Sequence, residues 1–264
     1  MTRQSSRPSR RRFVTGSAAA LPALFAPVAA QGEAQEQPRA RPAPDRPLNI
    51  VCVGAHPDDP ESGCGGTLAR YTAAGHRVTV IYLTRGEAGI AGKSHEEAAK
   101  IRTAESEAAC KLIGAKPVFA GQIDGATEIN RERTQALQKL VAAEEPNLVF
   151  THWPLDTHPD HQAASLLTVR SYLASRQRFP IYFFEVNSGS QTLGFLPTVY
   201  VDITATRERK KAAFLSHRSQ DGEGIYRKHH EVMETFRGRE LGVAAAEAFV
   251  SLARDSRSGR LLGL

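Results

Sequence analysis

Two short segments of this chain gather histidine and aspartate at spacings that suit metal chemistry. The first is His56-Pro57-Asp58-Asp59-Pro60-Glu61; the second runs His152-Trp153-Pro154-Leu155-Asp156-Thr157-His158-Pro159-Asp160-His161. With nine His and fifteen Pro in 264 residues, one His-Pro-Asp triplet is already rare by chance, and this chain has two. Imidazole nitrogen and carboxylate oxygen together suit zinc or another borderline divalent metal, and a set of two His and one Asp leaves a fourth position open for water, the arrangement of catalytic sites. A plainer alternative is that Asp58, Asp59 and Ser62 cap a helix beginning near Gly65, while His158 and His161 sit at a helix start, satisfied by backbone carbonyls. The repetition of the motif weighs against it. Proline after His56 and after His158 restricts each histidine to extended backbone, so the expectation is that the ligands stand on stiff loops and that the following helices start late.

Those loops need a frame. Short β-branched or aromatic runs at 48–53, 78–83, 117–119 and 148–151 alternate with helical patterns at 65–74, 94–113, 131–143 and 161–174. Such alternation specifies parallel strands joined by right-handed helical crossovers: an α/β, doubly wound, mostly parallel sheet with helices on both faces, Rossmann-like in form. Gly75 and Gly114 stand where helix C-caps belong, and Pro146 is a stop signal. In such sheets ligands sit in the crevice outside the carboxyl ends of the strands, and both His/Asp segments follow strands directly. Two more apolar runs, 181–186 and 198–203, precede helical patterns at 206–215, 227–236 and 241–252, which are expected to add strands and covering helices to the same sheet. Gly63-Cys64-Gly65-Gly66-Thr67 lacks both the G-x-G-x-x-G spacing and a Walker lysine; close packing of a helix on the sheet accounts for its glycines better than a nucleotide does.

Composition narrows the function classes. The chain is 41% hydrophobic and 23% charged, as in globular proteins with a sizeable core. Its net charge of +6 suggests an anionic partner until its distribution is considered: five of the 34 basic residues, Arg3, Arg7, Arg10, Arg11 and Arg12, lie in the first twelve positions. From residue 31 onward 29 basic residues face 28 acidic ones, which leaves no global electrostatic case for nucleic acid. Arg10-Arg11-Arg12-Phe13, the weakly apolar run 14–30 interrupted by Pro22 and Pro27, and the small-residue end Val28-Ala29-Ala30 look like a twin-arginine signal. The run is too short and too broken to span a membrane. The expected organisation is a signal peptide at 1–30, a disordered Pro-rich linker at 31–46 and one domain at 47–264, with the twin-arginine export machinery as a partner, no stable membrane insertion and a periplasmic or secreted location. Cys52, Cys64 and Cys110 cannot all pair and match no redox or zinc-ribbon spacing, so buried free thiols are expected.

The residues also carry a resemblance. His56-Pro57-Asp58-Asp59 with Glu61, Gly65-Gly66-Thr67, Thr84-Arg85-Gly86-Glu87-Ala88-Gly89, Arg102 with Glu105, Pro154-x-Asp156-x-His158-x-Asp160-His161, the stretch from Lys211 to His217-Arg218-Ser219-Gln220, and Ala246-Glu247-Ala248-Phe249 together resemble the PIG-L/LmbE-like zinc-dependent N-deacetylase family across residues 48–249. The resemblance implies His56, Asp59 and His161 as zinc ligands, Asp58 as general base, and His158 as the group that polarises the substrate carbonyl or protonates the leaving amine. It implies Asp160 and Asp156 as orienters of the histidines, Arg102 as a substrate contact, and His217 as a substrate contact at the rim of the crevice. For Arg102 the competing expectation is a surface ion pair with Glu105 on its own helix; for His217 it is a helix C-terminal histidine. Pro60 departs from the shorter H-P-D-D-E form and leaves the role of Glu61 open. The implied reaction is hydrolysis of the acetamide of an N-acetylglucosamine-type sugar. Its rivals are another metal hydrolase, such as a phosphoesterase, and a non-catalytic periplasmic metal- or sugar-binding protein.

Overall fold

A computed structural model describes residues 46–176, 179–252 and 261–264; the expected signal peptide and nearly all of the expected linker lie outside them. Seven strands form one sheet in the order β3-β2-β1-β4-β5-β7-β6. β1 (Asn49–Gly54), β2 (Arg77–Tyr82), β3 (Lys116–Phe119), β4 (Leu148–His152) and β5 (Ile181–Phe184) run parallel. β7 (Ala246–Ser251) is antiparallel to both β5 and β6 (Val199–Asp202). The doubly wound, mostly parallel α/β sheet expected from the alternation is therefore observed. The chain moves outward from β1 to β2 and β3, then returns to the other side of β1 with β4. That reversal opens a crevice between the carboxyl ends of β1 and β4.

The helices cover both faces: α1 (Asp59–Ala73), α2 (His95–Ile113), α3 (Arg131–Ala143), α4 (Pro159–Ala174) and α5 (Arg207–Phe214). A single turn α6 (Gly222–Ile225) and a π-helical turn (Tyr226–His230) lead into α7 (Glu231–Leu241). Ser94 and Glu97 close a capping box on α2, whose other end is stopped by Gly114 in the left-handed conformation. The apolar strand residues divide into two cores: Ile50, Cys52, Val80 and Phe150 contribute to one, and Val51, Val53, Ile81 and Val149 to the other. Burial on both faces is why these strands are continuous apolar runs rather than alternating ones.

Two expectations are corrected. The alanine-rich stretch at 241–252 is not helical: α7 ends at Leu241, Gly242 takes a left-handed conformation, and Ala246–Ser251 become β7. Pairing on both edges outweighs the helical preference of its four alanines, because each backbone group of an inserted strand finds a partner. The helices after the two His/Asp segments also start early. Pro159 occupies the first turn of α4 and Pro60 that of α1, where a missing N–H costs nothing and the fixed φ favours the helix. Asp59 and His161 therefore stand on helix first turns, not on loops. The glycines of α1 do serve close packing. A Cβ at Gly63 would run into the ring of Phe184, and one at Gly66 would meet Ile203 at 2.8 Å. All three cysteines are buried free thiols, with Cys52 Sγ 3.5 Å from Cys64 Sγ.

Candidate metal centre

His56 follows β1 and Asp59 opens α1; His161 lies in the first turn of α4, and His152 ends β4. Parallel pairing of β1 with β4 sets these four at one end of the sheet. Asp59 is shared between two rings: Oδ2 lies 3.2 Å from His56 Nδ1 and Oδ1 lies 3.2 Å from His161 Nε2. The remaining nitrogen of each ring is taken by carboxylates. His161 Nδ1 is 3.2 Å from Asp156 Oδ1, while His56 Nε2 is 3.0 Å from Asp160 Oδ2 and 3.2 Å from Asp124 Oδ1. Histidines that hold a metal through one nitrogen and a carboxylate through the other have this arrangement, which fixes the tautomer and makes the ligand nitrogen more basic. His56, Asp59 and His161 suit a divalent cation by donor type, and among the described residues three overlapping groups bring a ligand atom of each member within 4.8 Å of the others: His56, His158 and His161; Asp59, His152 and His161; and His56, Asp124 and Asp160.

The charges are mutually held. Burial disfavours the Asp59 anion, but His161 and His152 keep its carboxyl well below the usual range. Burial likewise works against a proton on His161, yet Asp59 and Asp156 outweigh it and hold the ring up at about 9. Those carboxylates would stabilise a metal cation in place of the proton. Asp160 accepts from Gly125 N at 2.8 Å and Thr127 Oγ1 at 2.6 Å, and with His56 these bonds keep it strongly acidic despite burial. Asp156 accepts from His158 N and Thr192 Oγ1. His152 Nε2 accepts from Ala55 N at 3.0 Å, and burial lowers the ring to about 4, so it is neutral.

Asp58 and His158 face the same cleft. Asp58 carries φ of 109°, a conformation L-residues rarely adopt, and makes no side-chain cap to α1. Its Oδ2 instead accepts from Arg102 Nη2 at 3.0 Å, and Arg102 also donates to the Pro57 carbonyl. Burial raises the Asp58 carboxyl and Arg102 only partly offsets it. His158 Nδ1 accepts from Asp160 N at 3.2 Å, which leaves the proton on Nε2. Burial and the neighbouring His56 and His161 lower its pKa. The cleft, about 570 Å³, is lined by His56, Asp58, Asp59, Arg102, Asp124, His158 and His161, and also by Gln191, Gln220, Ile225 and His229.

Residues 51–172 match the PIG-L family, described as GlcNAc-PI de-N-acetylase. The chain carries a PIG-L-family domain. The domain is 29% identical over 192 residues to a diacetylchitobiose deacetylase of Thermococcus kodakarensis, covering 67% of this chain and 72% of that relative. Its fold superposes on the N,N'-diacetylchitobiose deacetylase from Pyrococcus horikoshii with a TM-score of 0.70 and 27% identity, over 77% of this chain and 83% of that one. A conserved protein of Thermus thermophilus matches at 32% identity and a TM-score of 0.68, over 80% of this chain and all of that one.

Every site residue expected from the sequence lies in or directly behind this cleft of the PIG-L-family domain, with two changes of setting. Arg102 is 3% exposed and bonds to Asp58, so the expected surface pair with Glu105 does not form; Glu105 accepts from Ser219 instead. His217 is not at the rim. It is fully buried, 3.6 Å from Glu61 Oε1, in the 217–220 turn after α5. Asp124 and His152 are site residues that motif and spacing did not assign. Asp124 stands alone after β3, held by Ala88 N at 3.1 Å, and its only advance signal is its place beyond the carboxyl end of a parallel strand.

Proposed function

We propose that the chain is a zinc-dependent deacetylase that hydrolyses the acetamide of an N-acetylglucosamine-type sugar or conjugate. The observation that carries this reading is a carboxylate, Asp58, fixed beside the Asp59-bridged histidine pair without being consumed by helix capping. The relatives' activities on N-acetylated sugars support the substrate class. His56, Asp59 and His161 would hold the zinc, which when bound supplies an electrophile for the amide oxygen and lowers the pKa of water toward ~7.

The chain's own groups do the rest. Asp58, on the cleft floor, takes the proton of the attacking water and delivers it to the departing nitrogen, so that the C–N bond breaks to give acetate and a free amine. His158 donates its Nε2 proton in a hydrogen bond to the oxygen that gains charge in the transition state. Asp156 and Asp160 keep the ligand histidines oriented. Purified protein should release acetate from N-acetylated sugars, lose that activity on chelation and regain it with zinc. Acetate release that survives complete metal removal would overturn the metal requirement, and no release from any N-acetylated sugar by zinc-loaded protein would overturn the deacetylase reading.

The location we propose is periplasmic or secreted, on the strength of Arg10-Arg11 ahead of a short apolar run. Replacing both with Lys should leave folded, active precursor in the cytoplasm. Unchanged export of that double variant, measured by cell fractionation, would remove the twin-arginine assignment.

A further inference from the structure

Three sequence motifs interlock behind Asp58. Gly86 and Gly89 lie against the Arg102 guanidinium so closely that a Cβ on either would collide with it. Glu105, one turn along α2 from Arg102, accepts from Ser219 N at 2.8 Å and Ser219 Oγ at 2.7 Å, while Gln220 Nε2 donates to Gly89 O at 3.0 Å. These bonds clamp the 217–220 turn to α2 and to the loop over Arg102. The clamp drives His217 into the interior at 0% exposure, with Nε2 3.6 Å from Glu61 Oε1.

Glu61 is as deeply buried. Its Oε1 accepts from Tyr82 Oη at 2.5 Å. Its Oε2, both ring nitrogens of His217 and Arg102 Nε are buried without a hydrogen-bond partner among the described residues. Native interiors seldom keep unpaired polar groups, and each one calls for a physical explanation. Arg102 is the one that holds Asp58, whose backbone is at positive φ, and neither Glu61 nor His217 lines the cleft.

We propose that Glu61 and His217 form a buried pair that positions the Asp58 carboxylate, acting through the Arg102 clamp and never touching substrate. The proposal rests on the deacetylase reading for what Asp58 does, and on the geometry for how it is held. The link to Asp58 runs from the His217 turn through Gln220 to Gly89, which packs on the Arg102 guanidinium that holds the carboxylate. A glutamine at 217 keeps much of the size and polarity but not the ring that faces Glu61.

His217→Ala and His217→Gln should each lose kcat on the order of 10-fold to 100-fold, the scale of a misplaced catalytic group, with KM within about twofold of wild type and zinc content unchanged. If the alanine variant does not fold, the glutamine variant decides. Glu61→Gln should lose a similar factor, and the double variant Glu61→Gln/His217→Gln should be no slower than the slower single one. Folded His217→Gln with wild-type kcat, or losses that multiply in the double variant, would overturn the pair. A crystal structure of metal-free His217→Gln gives a reading independent of turnover. Displacement of Asp58 Oδ2 from its 3.0 Å contact with Arg102 supports the positioning role, and an unmoved carboxylate overturns it. If wild-type protein releases no acetate, the deacetylase reading fails and this structural comparison still decides the inference.

Discussion

Asp58→Asn should retain its fold and a near-normal zinc content while losing on the order of 10²–10⁴ in kcat, the usual worth of a positioned general base. Asparagine keeps the shape and can still contact Arg102, but it cannot accept the water proton. Because the Asp58 carboxylate is held by Arg102 while His56 and His161 meet Asp59, its replacement leaves the proposed ligand set intact. The pH profile follows from the same burial. The Asp58 carboxyl is raised above its ordinary value, so it stays protonated and inactive to higher pH than a surface carboxylate, and the rate should climb as pH rises through that raised value. The residual rate of Asp58→Asn should lack this acid limb. Zinc content by elemental analysis beside acetate release is the measurement; loss of zinc from Asp58→Asn would move this residue into the ligand set.

Asp59→Ala should lose zinc and activity together. Both oxygens of Asp59 lie within 3.4 Å of histidine nitrogens, those of His56, His161 and His152, so the substitution removes the one anion on which these histidines converge. The loss should exceed that of Asp160→Asn, which leaves Asp59 in place and disturbs the orientation of His56 together with the bonds to Gly125 and Thr127; loss of such an orienting partner usually costs roughly 10-fold to 100-fold in metal affinity. His161→Ala should behave like Asp59→Ala. A competition titration against a chelator of known affinity ranks the variants, and wild-type zinc affinity in Asp59→Ala would refute the proposed coordination.

These two adjacent aspartates mark how far local sequence could be read. Residue chemistry alone located the metal-competent segments, because His and Asp at short spacing after an apolar strand are informative wherever the chain folds. It could not divide Asp58 from Asp59; only the family resemblance did. In the structure the backbone separates them: Asp58 sits at positive φ outside α1 and Asp59 in the first turn, so their carboxylates meet Arg102 and the histidines respectively.

The strand and helix alternation from 48 to 174 was legible for a related reason. Doubly buried parallel strands and capped helices are specified by runs of side chains near one another in sequence. Composition and the order of basic residues also set the expectation of an exported chain. What depended on distant parts of the chain was not legible. The 246–251 stretch becomes a strand because β5 and β6 leave a slot between them. Asp124 reaches His56 because β3 ends beside the same crevice. His217 is buried beside Glu61, not at the rim, because Glu105 and Gly89, more than a hundred residues earlier, anchor its turn. Periodicity and spacing report what neighbouring residues require of the backbone, whereas the partner of a buried charge is chosen by the packing of elements that the sequence keeps far apart.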